Sequence, residues 1–324
     1  MRSETNIAQR FNKYSLMKML MPFLSFTFAF SILYYLNPQS FESMWKGRTY
    51  YLFFLFAYFI ETVFKEKIFD VKEESFSSLR LVISILISLT PIIYVVIANF
   101  YGLNDFIQVL AKENNVYFPD WMPLSTEYLV FAVLFELIIL FIYRLRGSTD
   151  YAVSALLLGV VGLIYTIDNY YPYGYFTLFQ AFVPTTVNLA ATVLKSMGYV
   201  TIALPPIYGA IPLLVRNGGQ AVLSVAWPCA GIDSLIIYTI TIALFMKKTI
   251  IPLKHRLAYF ITGAAVTYLI NIFRVVTIFV IAVNGGDYVR FHDYYSHLYS
   301  ITWITSYPII IVGSRALWKR IKHK

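Results

Sequence analysis

Apolar residues fall in eight runs long enough, or nearly long enough, to cross a bilayer: 20–36, 49–64, 79–101, 125–143, 152–167, 232–246, 257–283 and 298–312. Several are shorter than the roughly 20 residues a helix needs to cross the hydrocarbon core, so their ends reach into flanking residues or the membrane thins locally. A ninth run, 176–194, is interrupted by Gln180, Pro184 and Asn188. The pattern then changes: over 199–225, short apolar runs alternate with Pro205, Pro206, Pro212 and Asn217-Gly218-Gly219. An Asn-Gly step between apolar runs is a hairpin signal. The predicted fold is an all-α polytopic membrane protein of about eight transmembrane helices, with a small outward-facing β-hairpin and a peripheral helix ahead of Cys229.

Composition agrees with that class. The chain is 59% apolar and 13% charged, with a mean hydropathy of +0.65, outside the range of soluble domains. Its net charge of +9 does not point to nucleic acid, because the basic residues cluster in short segments between apolar runs. With the N-terminus inside and eight spans, nineteen of the 26 Lys and Arg residues lie on the inner side. Lys46, Arg48, Lys112, Lys195, Arg216 and Arg290 lie outside, and Arg274 lies within a span. This is the positive-inside bias. If 176–194 also crossed, the Lys247–Arg256 cluster and the basic C-terminus would move outside, so that run is read as a helix on the outer face. The N-terminus resembles a signal anchor, with Arg2, Arg10, Lys13 and Lys18 before an apolar run and no small-x-small cleavage site. Neither repeats nor linkers appear. The expected organisation is one integral membrane domain, with a five-span region over 1–174 and a core over 175–324.

Cys229 is the only cysteine, within Trp227-Pro228-Cys229-Ala230-Gly231-Ile232-Asp233-Ser234 at the head of an apolar run. Helix N-terminal N–H groups favour a thiolate. Arg274, in Asn271-Ile-Phe-Arg274, lies nine residues before Val283, about 13 Å below that helix end at the usual rise. Arginine within a membrane marks a functional candidate, and its side chain can snorkel outward. Asn271, three residues earlier, can hydrogen-bond in the same column. His292 and His297 precede the last run in Arg290-Phe-His-Asp-Tyr-Tyr-Ser-His-Leu298. A thiol, a fixed cation and a titratable base are the parts of a cysteine acyl transferase. Elsewhere, Glu127 and Glu136 fall on opposite faces of one helix, and Glu61 and Lys65 are spaced to pair at i, i+4. No zinc, P-loop or dinucleotide motif is present, so neither a metal nor a cofactor is expected.

In their order, these elements resemble the exosortase and archaeosortase family: a polytopic chain, an outward extended stretch, Cys229-Ala230-Gly231, Asn271-Ile-Phe-Arg274, and a His before the last span. The specific likeness covers roughly the last 130 residues. The resemblance implies a membrane cysteine protease or transpeptidase with Cys229, Arg274 and His297 as catalytic residues. Its active site would face outward at the cell membrane, among membrane lipids. Its substrates would be exported proteins ending in a short motif, a transmembrane helix and a basic tail, with a lipid-type acceptor. The family's usual Ser after the Cys is replaced by Ala230. Phe291-His292-Asp293 is similar to the Phe-His-Ser of bacterial members, whereas His297 abuts the apolar run and is the favoured base; some archaeal members carry a second Arg in that place, for which Arg290, farther from the span, is the one candidate. Two other classes compete: a transporter coupling Glu136 to Arg274, and a non-catalytic scaffold for envelope assembly.

Overall fold

The computed structural model describes residues 13–42, 47–68, 78–114, 125–171, 178–207, 209–249 and 251–322. The chain is predominantly helical and divides into two compact units, Met1–Asn169 and Tyr170–Lys324.

The first unit contains α1 (Lys13–Leu36), α2 (Gln39–Glu42), α3 (Thr49–Ile68), α4 (Ser78–Ser88), α5 (Thr90–Phe100), α6 (Leu103–Glu113), α7 (Ser125–Tyr143), α8 (Leu145–Asp150) and α9 (Ala152–Tyr170). Its core is aromatic. Phe26 and Phe30, one turn apart on α1, meet Tyr51 and Phe54 of α3 and Phe131 and Phe135 of α7, and all six are buried. Phe30 stacks on Tyr51 at 4.3 Å, and Phe54 meets Phe135 edge-on at 5.0 Å. The expected continuous helix over 79–101 is broken at Leu89 into α4 and α5. Pro91 lacks the N–H that would bond the Ile87 carbonyl; the Thr90 hydroxyl donates to that carbonyl instead, at 2.7 Å.

Carboxylates tie this unit together. Arg48, just ahead of α3, makes a fork-shaped pair with Glu127 of α7, Nε and Nη2 each donating at 2.8 Å. Tyr51 donates to the same carboxylate at 2.7 Å. Glu61 accepts from the backbone N–H groups of Val153 and Ser154 and from the Ser154 hydroxyl, filling donors that the N-terminus of α9 leaves open. The side chain of Lys65, its expected partner, lies outside the described residues. Glu136 accepts from Ser148 at 2.9 Å, where α8 folds back along α7.

The second unit contains α10 (Phe182–Ser196), β1 (Val200–Ala203), β2 (Ile211–Asn217), β3 (Gly219–Val225), α11 (Ile232–Lys248), α12 (Leu253–Val283), α13 (Tyr288–Arg290) and α14 (Ser296–Lys322). The 15 residues of α10 span about 22 Å, less than the hydrocarbon core. They bury one stripe, Val183, Thr186, Val187, Ala190 and Leu194. The expected hairpin is β2 and β3, which meet at Asn217–Gly219, and β1 extends it to a three-stranded antiparallel sheet in the order β1-β2-β3. Pro212, read as punctuation, lies inside β2. It is tolerated near the end of the ladder, where its carbonyl accepts from Leu204 N–H at 2.8 Å.

Polar contacts along their length stitch α11, α12 and α14 together. Ser234 donates to Ser300 at 2.8 Å, Trp303 donates to Thr267 at 3.1 Å, and the hydroxyls of Tyr238 and Tyr307 reach the carbonyls of Phe260 and Tyr259 at 2.8 and 2.7 Å. Gly263 sits where these helices cross, because a Cβ there would collide with Tyr238 and Tyr307.

Among the described residues, five helices are long and apolar enough to cross a membrane: Met17–Leu36, Leu81–Phe100, Thr126–Tyr143, Ala152–Tyr170 and Leu253–Val283. Thr49–Val63 is a shorter apolar helix. The remaining two expected spans belong to α11, which has 17 residues, and to α14, whose apolar stretch is flanked by polar and basic residues.

Candidate active site

Cys229 lies in a single 3-10 turn, Pro228–Ala230, between β3 and α11. Helix α11 starts only at Ile232, so the thiol stands one step ahead of the helix instead of within its first turn. Two residues shape that step. Gly231 turns the chain with φ +95°, a conformation L side chains rarely adopt. A Cβ on it would also come within 2.9 Å of Asn271 Cγ. Asn271, fully buried on α12, uses the space Gly231 leaves to donate from Nδ2 to the Cys229 carbonyl at 3.0 Å. Its predicted bond along the column to Arg274 is thereby replaced by a clamp on the cysteine turn. Trp227, buried beside the turn, stacks on Phe179 with ring centres 5.5 Å apart.

Thr267, Asn271, Arg274 and Ile278 recur every three or four residues on α12 and place one column beside the turn. Arg274 is 6% exposed. Among the described residues its Nε has no hydrogen-bond partner, and neither has Asn271 Oδ1. Cys229 and Asp233 are the groups whose charge acts on the guanidinium. Asp233, buried in the first turn of α11, received no role from the sequence, although an acidic residue at a helix start is a readable signal.

The segment after α12 brings His292 to the thiol. Helical turns begin at Tyr288 in α13, pass through a π-helical stretch over Phe291–Tyr295 and run on into α14. His292 therefore belongs to the helical approach to α14. Its side chain hydrogen-bonds Cys229. His297 is the second residue of α14, and its side chain lies outside the described residues. Arg290 is exposed at the end of α13.

A cavity of about 250 Å³ opens onto these groups. Cys229, Arg274 and His292 line it together with Ser224 of β3, Tyr288 of α13 and an apolar wall of Val275, Ile278 and Phe279. Burial pushes the Cys229 thiol up, but the hydrogen bond and charge of His292, the charge of Arg274 and a backbone hydrogen bond from Ala226 outweigh it and hold the thiol below its ordinary value. The arrangement presents a nucleophile, a proton acceptor and an undercommitted cationic donor to one partly apolar space. Among the described residues, no group of three or more His, Cys, Asp or Glu side chains comes together as metal ligands would.

Comparison with family models, with curated proteins and with solved structures finds no match.

Proposed function

We propose that this chain is a membrane-embedded cysteine peptidase or transpeptidase. The observation that carries the reading is the buried Arg274, whose Nε has no partner while it lines the same cavity as the His292-bonded thiol. A buried donor left unmade costs about 1–3 kcal/mol, more when charged. A thiolate, or the oxyanion of a tetrahedral intermediate, would satisfy it. Beside the charge of Asp233, the guanidinium thus keeps one donor for the anion that forms in the reaction, the electrostatic form of transition-state stabilisation.

In the proposed cycle, His292 takes the Cys229 proton. The thiolate adds to a peptide carbonyl, and the new oxyanion faces Arg274. Collapse breaks the C–N bond, the amine leaves with the proton held by His292, and a thioester remains on Cys229. An acceptor nucleophile, a lipid-type amine or hydroxyl, then adds to the thioester as His292 removes its proton, and the thiolate is released; water in that role gives hydrolysis. Substrates of the resembled family's type, exported proteins with a C-terminal motif, transmembrane helix and basic tail, fit an outward site. In this reading the chain crosses the membrane eight times with both termini inside and residues 168–231 outside, as the distribution of basic residues implies.

Coexpression with a candidate substrate tests the chemistry. The wild type should process it and carry a hydroxylamine-sensitive adduct on Cys229, and Cys229→Ala should do neither; processing by Cys229→Ala would remove Cys229 as nucleophile. For the topology, Asn217→Cys in a Cys229→Ala background should react with an impermeant maleimide on intact cells. Labelling only after permeabilisation would overturn the outward placement.

A further inference from the structure

The order β1-β2-β3 leaves β3 with a neighbour on one edge only among the described residues. Which backbone groups face the open edge follows from the register. Leu204 N–H bonds the Pro212 carbonyl, so Pro212 directs its backbone toward the β1 side of β2. Its partner across the other ladder is Ser224. In an antiparallel ladder, bonded and non-bonded pairs alternate, so Pro212–Ser224 is a non-bonded pair of β2 and β3. The backbone N–H and C=O of Ser224, and by the same alternation those of Val222 and Gln220, point away from β2 toward the open edge.

That edge leads to the thiol. The cavity touches Leu223, Ser224 and Val225 in succession. Successive side chains on a strand point to opposite faces, so a space touching three in a row lies along the strand's edge and not on one face. Two residues beyond Ser224, Ala226 makes a backbone hydrogen bond to Cys229. At about 3.3 Å per residue, Ala226 is roughly 7 Å along the chain from Ser224, one repeat of an added strand. At the other end, Gly219 is held close against the Val283 carbonyl, which a Cβ would strike. Strand β3 is thereby fixed at the end of α12 while its edge faces the cavity.

We propose that the occupant of this edge is an extended polypeptide segment, added to the sheet as a fourth strand by main-chain hydrogen bonds to Val222 and Ser224. Its alternate side chains lie against Val275, Ile278 and Phe279, and its scissile carbonyl is delivered beside Cys229. This rests on the peptidase reading and deepens it. Recognition by backbone pairing selects an unfolded, strand-like segment with apolar side chains at alternate positions.

The test uses the full-length protein in detergent and two reagents for its single thiol: iodoacetamide, and acetyl-Val-Ser-Val-Ser-Val chloromethyl ketone. Each variant's rate with the peptide is divided by its own rate with iodoacetamide. Two N-methylated twins of the peptide block alternate sets of N–H groups. One twin should lose about tenfold in that ratio, the loss of about two hydrogen bonds, while the other keeps it. Val222→Pro, which removes an outward N–H at an edge where proline is accommodated, should lower the ratio about fivefold. Equal behaviour of the two twins overturns strand addition while leaving the thiol's chemistry standing, and the twins on wild-type protein decide the matter if Val222→Pro does not fold. Failure of both reagents to label Cys229 overturns the peptidase reading and the strand proposal with it.

Discussion

Gly231→Ala probes the packing that holds the cysteine turn. A non-glycine residue held at φ +95° costs about 1–2 kcal/mol. The added methyl would meet Asn271 Cγ at 2.9 Å and its Cβ and Nδ2 at 3.0 Å, and forcing a side chain into a filled site costs about 1–3 kcal/mol. Gly231→Ala should therefore destabilise the second unit by about 2–5 kcal/mol. Asn271→Ala alone removes the bond to the Cys229 carbonyl and should cost about 1–3 kcal/mol. Together the two changes should cost less than their sum by about 1–2 kcal/mol, because truncation removes the Cγ and Nδ2 contacts and leaves only the one with Cβ. The backbone term is not recovered. Unfolding in mixed micelles followed by circular dichroism measures all four corners of this cycle. A Gly231→Ala protein within about 0.5 kcal/mol of wild type, or strict additivity, would refute the contact and with it the reason for glycine two residues after the cysteine.

Since Cys229 is the only cysteine, alkylation reads this site alone. Its rate against pH should reach half its plateau below the value of about 8.5 for a free thiol; His292→Ala should raise that midpoint and His297→Ala leave it, and the reverse ranking would return the base role to His297. Arg274→Met should abolish processing while costing less than about 2 kcal/mol in unfolding, since among the described residues its Nε makes no hydrogen bond and the change leaves behind only the charge of Asp233; a larger loss would mean that Arg274 is a structural tie.

The parts of the site carried by long apolar runs were legible in the sequence. Asn271 and Arg274 stand out because polar residues are expensive there, and Cys229 because it heads a run. The start of the last helix was not, because hydropathy locates it at the first apolar residue, Leu298, whereas the backbone is already helical at Tyr288 and brings His292 to the thiol. Arg290, His292 and Asp293 suit a boundary and leave no apolar trace. The sheet was half legible: Asn217-Gly218 marked the turn, but Pro212 hid β2, since a proline is admissible only where its nitrogen owes the ladder no bond, here just past the last β1 pair, Ala203 with Leu213. Local spacing, which offers Lys65 to Glu61, could not show that this carboxylate also accepts from the start of α9.

Two carboxylates of the first unit, Glu127 and Glu61, also fix the parity of its path. Arg48 stands immediately before α3 and Glu127 is the third residue of α7, so their pair holds both helix origins at one level and the helices leave it in the same direction. Between them the chain must return an odd number of times. Leu81–Phe100 is long enough to make that return, whereas the 11 residues of α6 reach only about 16 Å. Glu61, about 18 Å down α3 at the usual rise, meets the origin of α9, so α9 sets out from the opposite level and runs the other way. The alternation of these four helices thus follows from hydrogen-bonded carboxylates alone, independently of any count of lysines and arginines, and a reporter that orients one of them orients all four.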